Sequence, residues 1–560
     1  MNKRYVLGID FGTQSARTLL VDGRDGTTAG AVTTAYAHGV MDERLPSGRP
    51  LPPLYALQHP ADYLDVLRTS IREVLGKAGV SPADVAGIGL DFTACTVLPC
   101  LADGTPLCMT AAFADNPEAY VKLWKHHAAQ PEADRINALA AGRGEDWLPV
   151  FGGRVSCEWL FPKLLETLDK SPAVFEAADK YMEAADWLTL VLTGADVRSA
   201  AFAGYKALWR AGIGYPSDDF FTSLDPRLHG VVGTKISENV LPVGSTAGTL
   251  TQSGAALTGL SPGTPVALPM VDGHAAMPGL GLCGPGDMMM ILGTSACHIV
   301  NSREARAVPG ICGYVQDGVI PGLYTYEAGQ AAVGDIFDRF VKTAVPEAYT
   351  AEARARGMSI HACLREKASA LRPGESGLVA LDWFNGSRSV LGNASLTGLI
   401  MGMTLTTKPE EVYRALIEAT AYGTRRIFEQ YEQYGIPVGE VTAAGGIAGK
   451  DPMMMQICAD VTGKVIRVSR QTEASAMGSA VYAAVAGGLY PSVAAASAAF
   501  RAPDAAVYVP IPENRAVYER LYGVFRTLHD SFGDGRVMEA LGSIRDAARG
   551  RGRPASLPIT

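Results

Sequence analysis

The chain has no run of lysine and arginine long enough to form a basic face. With a net charge of -8 and a pI near 5.7, this argues against a non-specific nucleic-acid binder. Cysteine is sparse: nine residues are scattered without a single CxxC pair. No two cysteines or histidines stand at finger-like intervals, so neither a zinc finger nor a secreted disulfide framework is expected. The thiols read as reduced and mostly buried. Long hydrophobic runs are missing as well. The apolar stretch after the basic MNKR start is broken at Asp10, which does not fit a signal peptide, and nothing approaches the roughly 20 residues of a membrane span. These absences predict a mildly acidic, soluble, cytoplasmic protein with neither nucleic acid nor membrane as partner. The Asn-x-Ser sequons at Asn385 and Asn393 carry no meaning in that compartment. A Walker A loop is absent too: Lys450 is followed by Asp451, and Ala444 stands where the first required glycine would be.

What is present starts at residues 5–21, YVLGIDFGTQSARTLLV. Two short apolar runs flank a polar corner, the pattern of two strands and a tight turn. Gly8 and Gly12 lack a Cβ, so backbone N–H groups around Gly12, Thr13 and Gln14 are free to approach a phosphate. Asp10 ends the first strand beside that corner, where a carboxylate suits hydrated Mg²⁺ better than phosphate itself. A single Gly-Thr corner is an ordinary hairpin turn. Residues 287–300, DMMMILGTSACHIV, repeat the plan with Gly293, Thr294 and Ser295 at the corner. Two such hairpins predict two related halves with nucleotide in the cleft between them. At 560 residues the chain is long enough for two large domains.

Along the chain, apolar spacing predicts a helix over residues 61–77, ended by Gly79, and a buried strand from Val85 that runs into a polar site edge at Asp91. Helical runs are read at 120–127, 134–141 and, after Pro162, within SCEWLFPKLLETL. Lys206 sits in the apolar phrase GYKALW, where the ordinary role of a lysine is to snorkel to the surface. The Pro and Gly cluster at 260–265 reads as the hinge between halves. After it an apolar run ends at Asp272 before a small-residue helix. Such an aspartate is commonly an N-cap, but facing a cleft it is also apt to accept a hydroxyl proton. A Thr407/Glu410 capping box opens the clearest helix, through about 435. Gly445, Gly446 and Gly449 follow a short strand, and EASAMGSAVYAAVAGG from Glu473 reads as a close-packing helix. The segment from Arg549 onward is basic and reads as a mobile tail.

These pieces resemble the FGGY carbohydrate kinases, members of the actin and hexokinase superfamily of two-lobed ATPases. GIDFGTQSAR is similar to the family's first phosphate motif, MILGTSAC to its second and AAGGIAGKDPMMMQ to its adenosine motif. EASAMGSAVYAA resembles the segment joining nucleotide site and hinge. The four occur in the family's order, and the likeness spans nearly the whole chain. LDFTACTVLP, SCEWLFPK, GYKALW, MVDGHAAMPG, YEAGQAAVGD and LDWFNGSRSVLGNASLTGL are most similar to the members that phosphorylate L-ribulose in arabinose catabolism.

The resemblance implies an α/β fold of two actin-like (ribonuclease H-like) lobes around a central cleft, residues 1–265 and 266–560. It implies ATP and Mg²⁺ as cofactors, a small pentulose as substrate and a homodimer. It assigns Asp272 as catalytic base, and Ala94, Lys206, Asp272 and Glu327 as sugar contacts. Asp10 and Asp272 would lie near the metal, Arg17 by the γ-phosphate, and Gly12, Thr13, Gln14, Gly293 and Thr294 around the phosphates. Gly445, Gly446 and Lys450 would line the adenosine pocket, although family members often carry Asn where this chain has Lys450. A kinase for another polyol or ketose, such as xylulose, glycerol or ribitol, and an actin-like ATPase switch are the competing readings.

Overall fold

The computed structural model describes residues 4–549; the expected mobile tail beyond Arg549 lies outside the described residues. Two sheets of 7 strands each organise the chain. In the first, Thr28–Ala35, Ser15–Asp22 and Tyr5–Phe11 form an antiparallel meander. Val85–Phe92 and Pro265–Ala267 extend it in parallel, and Thr246–Thr249 closes the edge antiparallel. In the second, Tyr324–Gln330, Ala296–Ser302 and Met288–Leu292 form the meander. Val441–Ala444 and Ile466–Ser469 extend it in parallel, and Asp504–Tyr508 closes that edge antiparallel. One pairing plan therefore occurs twice, which is the structural form of the duplication signalled by the two Gly-Thr corners. Every residue of Val85–Phe92 is buried, as expected of a parallel strand covered on both faces.

The helix Pro60–Ala78 forms where its apolar spacing predicted, entered through His59 and ended by Gly79 at φ 64°. Three expectations need correction. Residues 120–127 are not helical: Val121–Lys122 is a short strand, because the Lys122 ammonium is drawn inward to Glu118 and Glu166. The long helix is Pro409–Gln433, capped one residue later than read, with the Glu411 carboxylate accepting from the Lys408 N–H at 2.6 Å. The first sheet runs on past the expected boundary at 265. Pro265–Ala267 and Met270–Val271 both pair with Val85–Phe92 and so belong to the first sheet.

The helix Ala474–Ala486, from the second half of the sequence, lies on the first sheet. An ideal Cβ on Gly8 would come within 1.9 Å of the Ala476 carbonyl oxygen, and one on Gly89 within 1.9 Å of that of Ser479. Gly8 and Gly89 are register partners on adjacent strands, so their missing side chains form one groove that admits the helix backbone. The same helix meets Asp272–Gly279 edge to edge, Gly478 against the Ala275 carbonyl and Gly279 against that of Ala474. These two small-residue helices tie the sheets together, and the predicted site residues gather around them.

Candidate active site

Asp10 is second to last in the strand Tyr5–Phe11, with Arg17 opposite it on the returning strand and Asp91 opposite it on the parallel neighbour. The corner that follows is held open by its own backbone, the Gly12 N–H donating to the Ser15 carbonyl at 3.1 Å. Thr13 is anchored on both sides: Gln58 Nε2 donates to its carbonyl at 2.8 Å and Trp124 Nε1 to its Oγ1 at 3.1 Å. Gln14 accepts from the Tyr36 N–H at 3.1 Å. Arg17 is half-exposed and its Nε lies 3.3 Å from Glu473 Oε2, at the entry to the crossing helix.

The second corner is built alike. The Gly293 N–H donates to the Ser295 carbonyl at 2.9 Å. Gly334 and Val333, at the start of the next helix, donate to the Gly293 and Thr294 carbonyls at 3.0 and 2.7 Å. Gly445 sits at φ 93° directly against the Leu292 carbonyl, so the glycine loop touches the strand that ends in this corner. Gly446 and Lys450 are exposed there, and no side-chain contact places Lys450 on any particular group.

Asp272 opens the helix Asp272–Gly279. The N-cap itself is Val271, so Asp272 is not the capping residue, and its Oδ1 accepts from the Gly273 N–H at 2.6 Å. A Cβ on Gly273 would stand 4.0 Å from Ile291 Cδ1, which sets this turn beside the second hairpin. Burial first, then the charge of Asp10, raises the Asp272 carboxyl to about 7. Asp10 is also raised, by burial. Asp91 is fully buried and pushed well up by burial and by Asp10, and its Oδ2 accepts from Ser479 Oγ of the crossing helix at 2.6 Å. Asp10 faces it from the neighbouring strand, two buried carboxyls side by side.

An ion pair also acts on Asp272. Lys206 ends the short helix Ala200–Lys206 of the first lobe and Glu327 lies in Tyr324–Gln330 of the second, with Nζ 3.1 Å from Oε2. Lys206 is buried rather than snorkelling outward, the correction that context imposes on an isolated lysine. Against the upward push of burial, Lys206 and then His274 hold Glu327 well below the usual carboxylate range. His274 Nε2 lies 3.2 Å from the same carboxylate, and its ring lies tilted against Tyr205 with centroids 4.2 Å apart. Ala94 is half-buried in the loop after Val85–Phe92, beside Cys95 at φ 60°.

The structure thus brings Asp10, Asp272, Lys206 and Glu327 together around one turn, with a Gly-Thr corner from each sheet nearby. Sequence reading missed His274, Ser479 and Glu473 and left Asp91 as a mere site edge. His274 follows Asp272 by two residues in a phrase already singled out, so its proximity was available; the others depend on contacts far apart in the chain. A cavity of about 610 Å³ between the 384–397 loop and the helix Arg536–Ala548 contains none of the predicted site residues.

The family profile described as the FGGY family of carbohydrate kinases, N-terminal domain, matches residues 5–279, and the C-terminal domain profile matches residues 288–487. The chain belongs to the FGGY family of carbohydrate kinases. The N-terminal profile ends where the helix Asp272–Gly279 ends, in agreement with the strand pairing that carries the first lobe past residue 265. This FGGY family member is 49% identical over 556 residues to a ribulokinase of Anoxybacillus flavithermus, covering 98% of each chain. It is 46% identical over 564 residues to a ribulokinase of Halalkalibacterium halodurans, covering 100% of each. Among solved structures it resembles xylulose kinase from Rhodospirillum rubrum, with a TM-score of 0.77, 25% identity and coverage of 94% of this chain and 99% of that one. A Plasmodium falciparum glycerol kinase with ADP shares the fold at a TM-score of 0.71 and 16% identity, with coverage of 94% and 99%.

Proposed function

We propose that this FGGY kinase transfers the γ-phosphoryl group of ATP to the terminal hydroxyl of ribulose, converting L-ribulose to L-ribulose 5-phosphate. The observation that carries the reading is the setting of Asp272, buried at the start of its helix beside the second hairpin and acted on by Asp10, Glu327 and Lys206. Near-full-length likeness to chains named ribulokinase supports the choice of sugar.

Lys206, Glu327 and the backbone at Ala94 hold the hydroxylated chain of the sugar so that its terminal oxygen faces Asp272. Asp272 takes that proton as the oxygen bonds to the γ-phosphorus, the bond to the β,γ-bridging oxygen breaks, and ADP leaves with the electron pair. Gly12, Thr13, Gln14, Gly293 and Thr294 offer backbone N–H groups to the phosphates, and Arg17 adds charge once it exchanges Glu473 for phosphate. Gly445, Gly446 and Lys450 border the adenosine. The transition state is loose, so alignment, charge neutralisation and exclusion of water account for most of the rate.

Among the described residues no group of three or more His, Cys, Asp or Glu side chains is arranged to hold a metal ion. Mg²⁺ needs only one or two carboxylates when phosphates and water complete its shell. Asp10 and Asp272 fit that requirement, since each raises the demand for a nearby cation by burial and mutual repulsion. Bound there, Mg²⁺ would supply charge neutralisation to the phosphate oxygens.

Coupled ADP release across L-ribulose, D-ribulose, xylulose, ribitol and glycerol tests the reading. The expected result is the highest kcat/KM for L-ribulose. A clear preference for xylulose or a polyol would reassign the substrate, and ADP release indifferent to every sugar would point to an ATPase switch.

A further inference from the structure

Near Glu327 lies a cation that the mechanism does not use, Arg388. Arg388 lies in a loop from the second lobe whose ends are clamped by Ser387 and Asn393, each donating its N–H to the other's carbonyl at 2.9 Å. The loop is pinned to the strand carrying Glu327, because the Gly329 N–H donates to Ser389 Oγ at 3.2 Å. Gly329 is two residues beyond Glu327, so both present the same face of the sheet. A Cβ placed on Gly329 would stand 3.7 Å from Arg388 Cδ, which lays the arginine side chain across that face.

Among the described residues, the Arg388 guanidinium has neither a hydrogen bond nor an ion pair. The charged and titratable groups acting on it are Cys312, Glu158, Cys297 and Glu327. Glu158 belongs to the first lobe, where its Oε1 lies 3.2 Å from His127 Nε2. Asp272 is not among the groups that act most strongly on Arg388, whereas Glu327 acts on both. Glu327, on the strand that Arg388 crosses at Gly329, pairs with Lys206, so the three charged groups share one stretch of the site.

We propose that Arg388 is a further substrate-contacting residue, donating to the oxygens at the end of the sugar remote from the reacting hydroxyl. A guanidinium offers five N–H donors in a rigid fork and no acceptor, which suits adjacent hydroxyl and carbonyl oxygens of an open-chain ketose. No side chain among the described residues takes those donors, and the hydrogen-bonded loop holds the arginine beside the strand of Glu327. The residue thereby favours a ketose long enough to span from Asp272 to Arg388. This rests on the sugar-kinase reading above and deepens it by naming a specificity contact.

The test measures the wild-type enzyme, Arg388→Ala and Arg388→Lys, each with ATP and ribulose. Loss of a charged hydrogen bond predicts a KM for ribulose raised about 10- to 100-fold in Arg388→Ala. The lysine variant should fall between, KM for ATP should stay within about twofold, and the unfolding midpoint should not move. Added guanidinium ion should recover part of the loss in Arg388→Ala only. A ribulose KM within about threefold of wild type in both variants would overturn the proposal. So would an equal rise in both KM values without guanidinium rescue, which marks a merely structural arginine. A wild-type enzyme that leaves ribulose untouched would instead defeat the assignment of the sugar, a result visible before any variant is made.

Discussion

In the proposed reaction Asp272 is the residue on which the chemistry turns. Asp272→Asn keeps the shape of the side chain and the Gly273 contact but removes the proton acceptor. It should lower kcat by about 10²- to 10⁴-fold with little change in unfolding midpoint, checked by steady-state kinetics beside thermal melts. A different residue reports on acid stability. His298 is buried, its Nε2 is 3.1 Å from Thr424 Oγ1, and burial alone depresses it to about 3. An unfolded histidine titrates near ~6.5, so between that pH and about 3 the unfolded chain binds the extra proton. Stability contributed by neutral His298 is therefore complete above ~6.5 and falls as pH drops, by up to about 1.4 kcal/mol per pH unit. His298→Gln should flatten urea-unfolding stability against pH between 6.5 and 5 by about that slope; an unchanged slope would show that another group sets it.

The helix Ala474–Ala486 and the glycines beneath it carry the argument at the scale of elements. Gly89→Val drives side-chain atoms into the Ser479 carbonyl, and overpacking of this kind costs about 1–3 kcal/mol or more, which a thermal melt would register. Gly142 occupies the exposed side of Gln130–Arg143 with nothing within 4 Å of a Cβ, so Gly142→Ala should stabilise by roughly 0.5–1 kcal/mol in the same assay. The contrast separates glycines needed for close approach from those that are not. This is also where legibility in the sequence divides. The hairpins, the helix ended by Gly79 and the turn at Asp272 could be read because strand, corner and carboxylate lie within a few residues of one another. The failed helix at 120–127 shows the reach of contacts invisible locally: Lys122 is pulled inward by Glu166, 44 residues away. The Asp91–Ser479 bond joins residues 388 apart, and no local pattern announces it. The small-residue composition of EASAMGSAVYAA did predict close packing, but not that the partner would be the first sheet.

At the scale of the whole molecule, the duplicated sheets place one Gly-Thr corner in each lobe, and the chain's crossings place a shared helix pair between them. The lobe boundary was misread because a Pro and Gly cluster marks a turn wherever it occurs, whereas strand pairing decides which sheet the chain then joins. Membership in a family of carbohydrate kinases gives that architecture its use, and in the proposed reaction nucleotide and sugar meet at Asp272. The most direct measurement is a crystal structure with ribulose and a non-hydrolysable ATP analogue. The account predicts the terminal phosphate between the turns at Gly12–Gln14 and Gly293–Thr294, with the ketose's terminal hydroxyl about 3 Å from an Asp272 oxygen. Nucleotide phosphates bound away from both turns, or a sugar whose terminal hydroxyl faces another carboxylate, would contradict it.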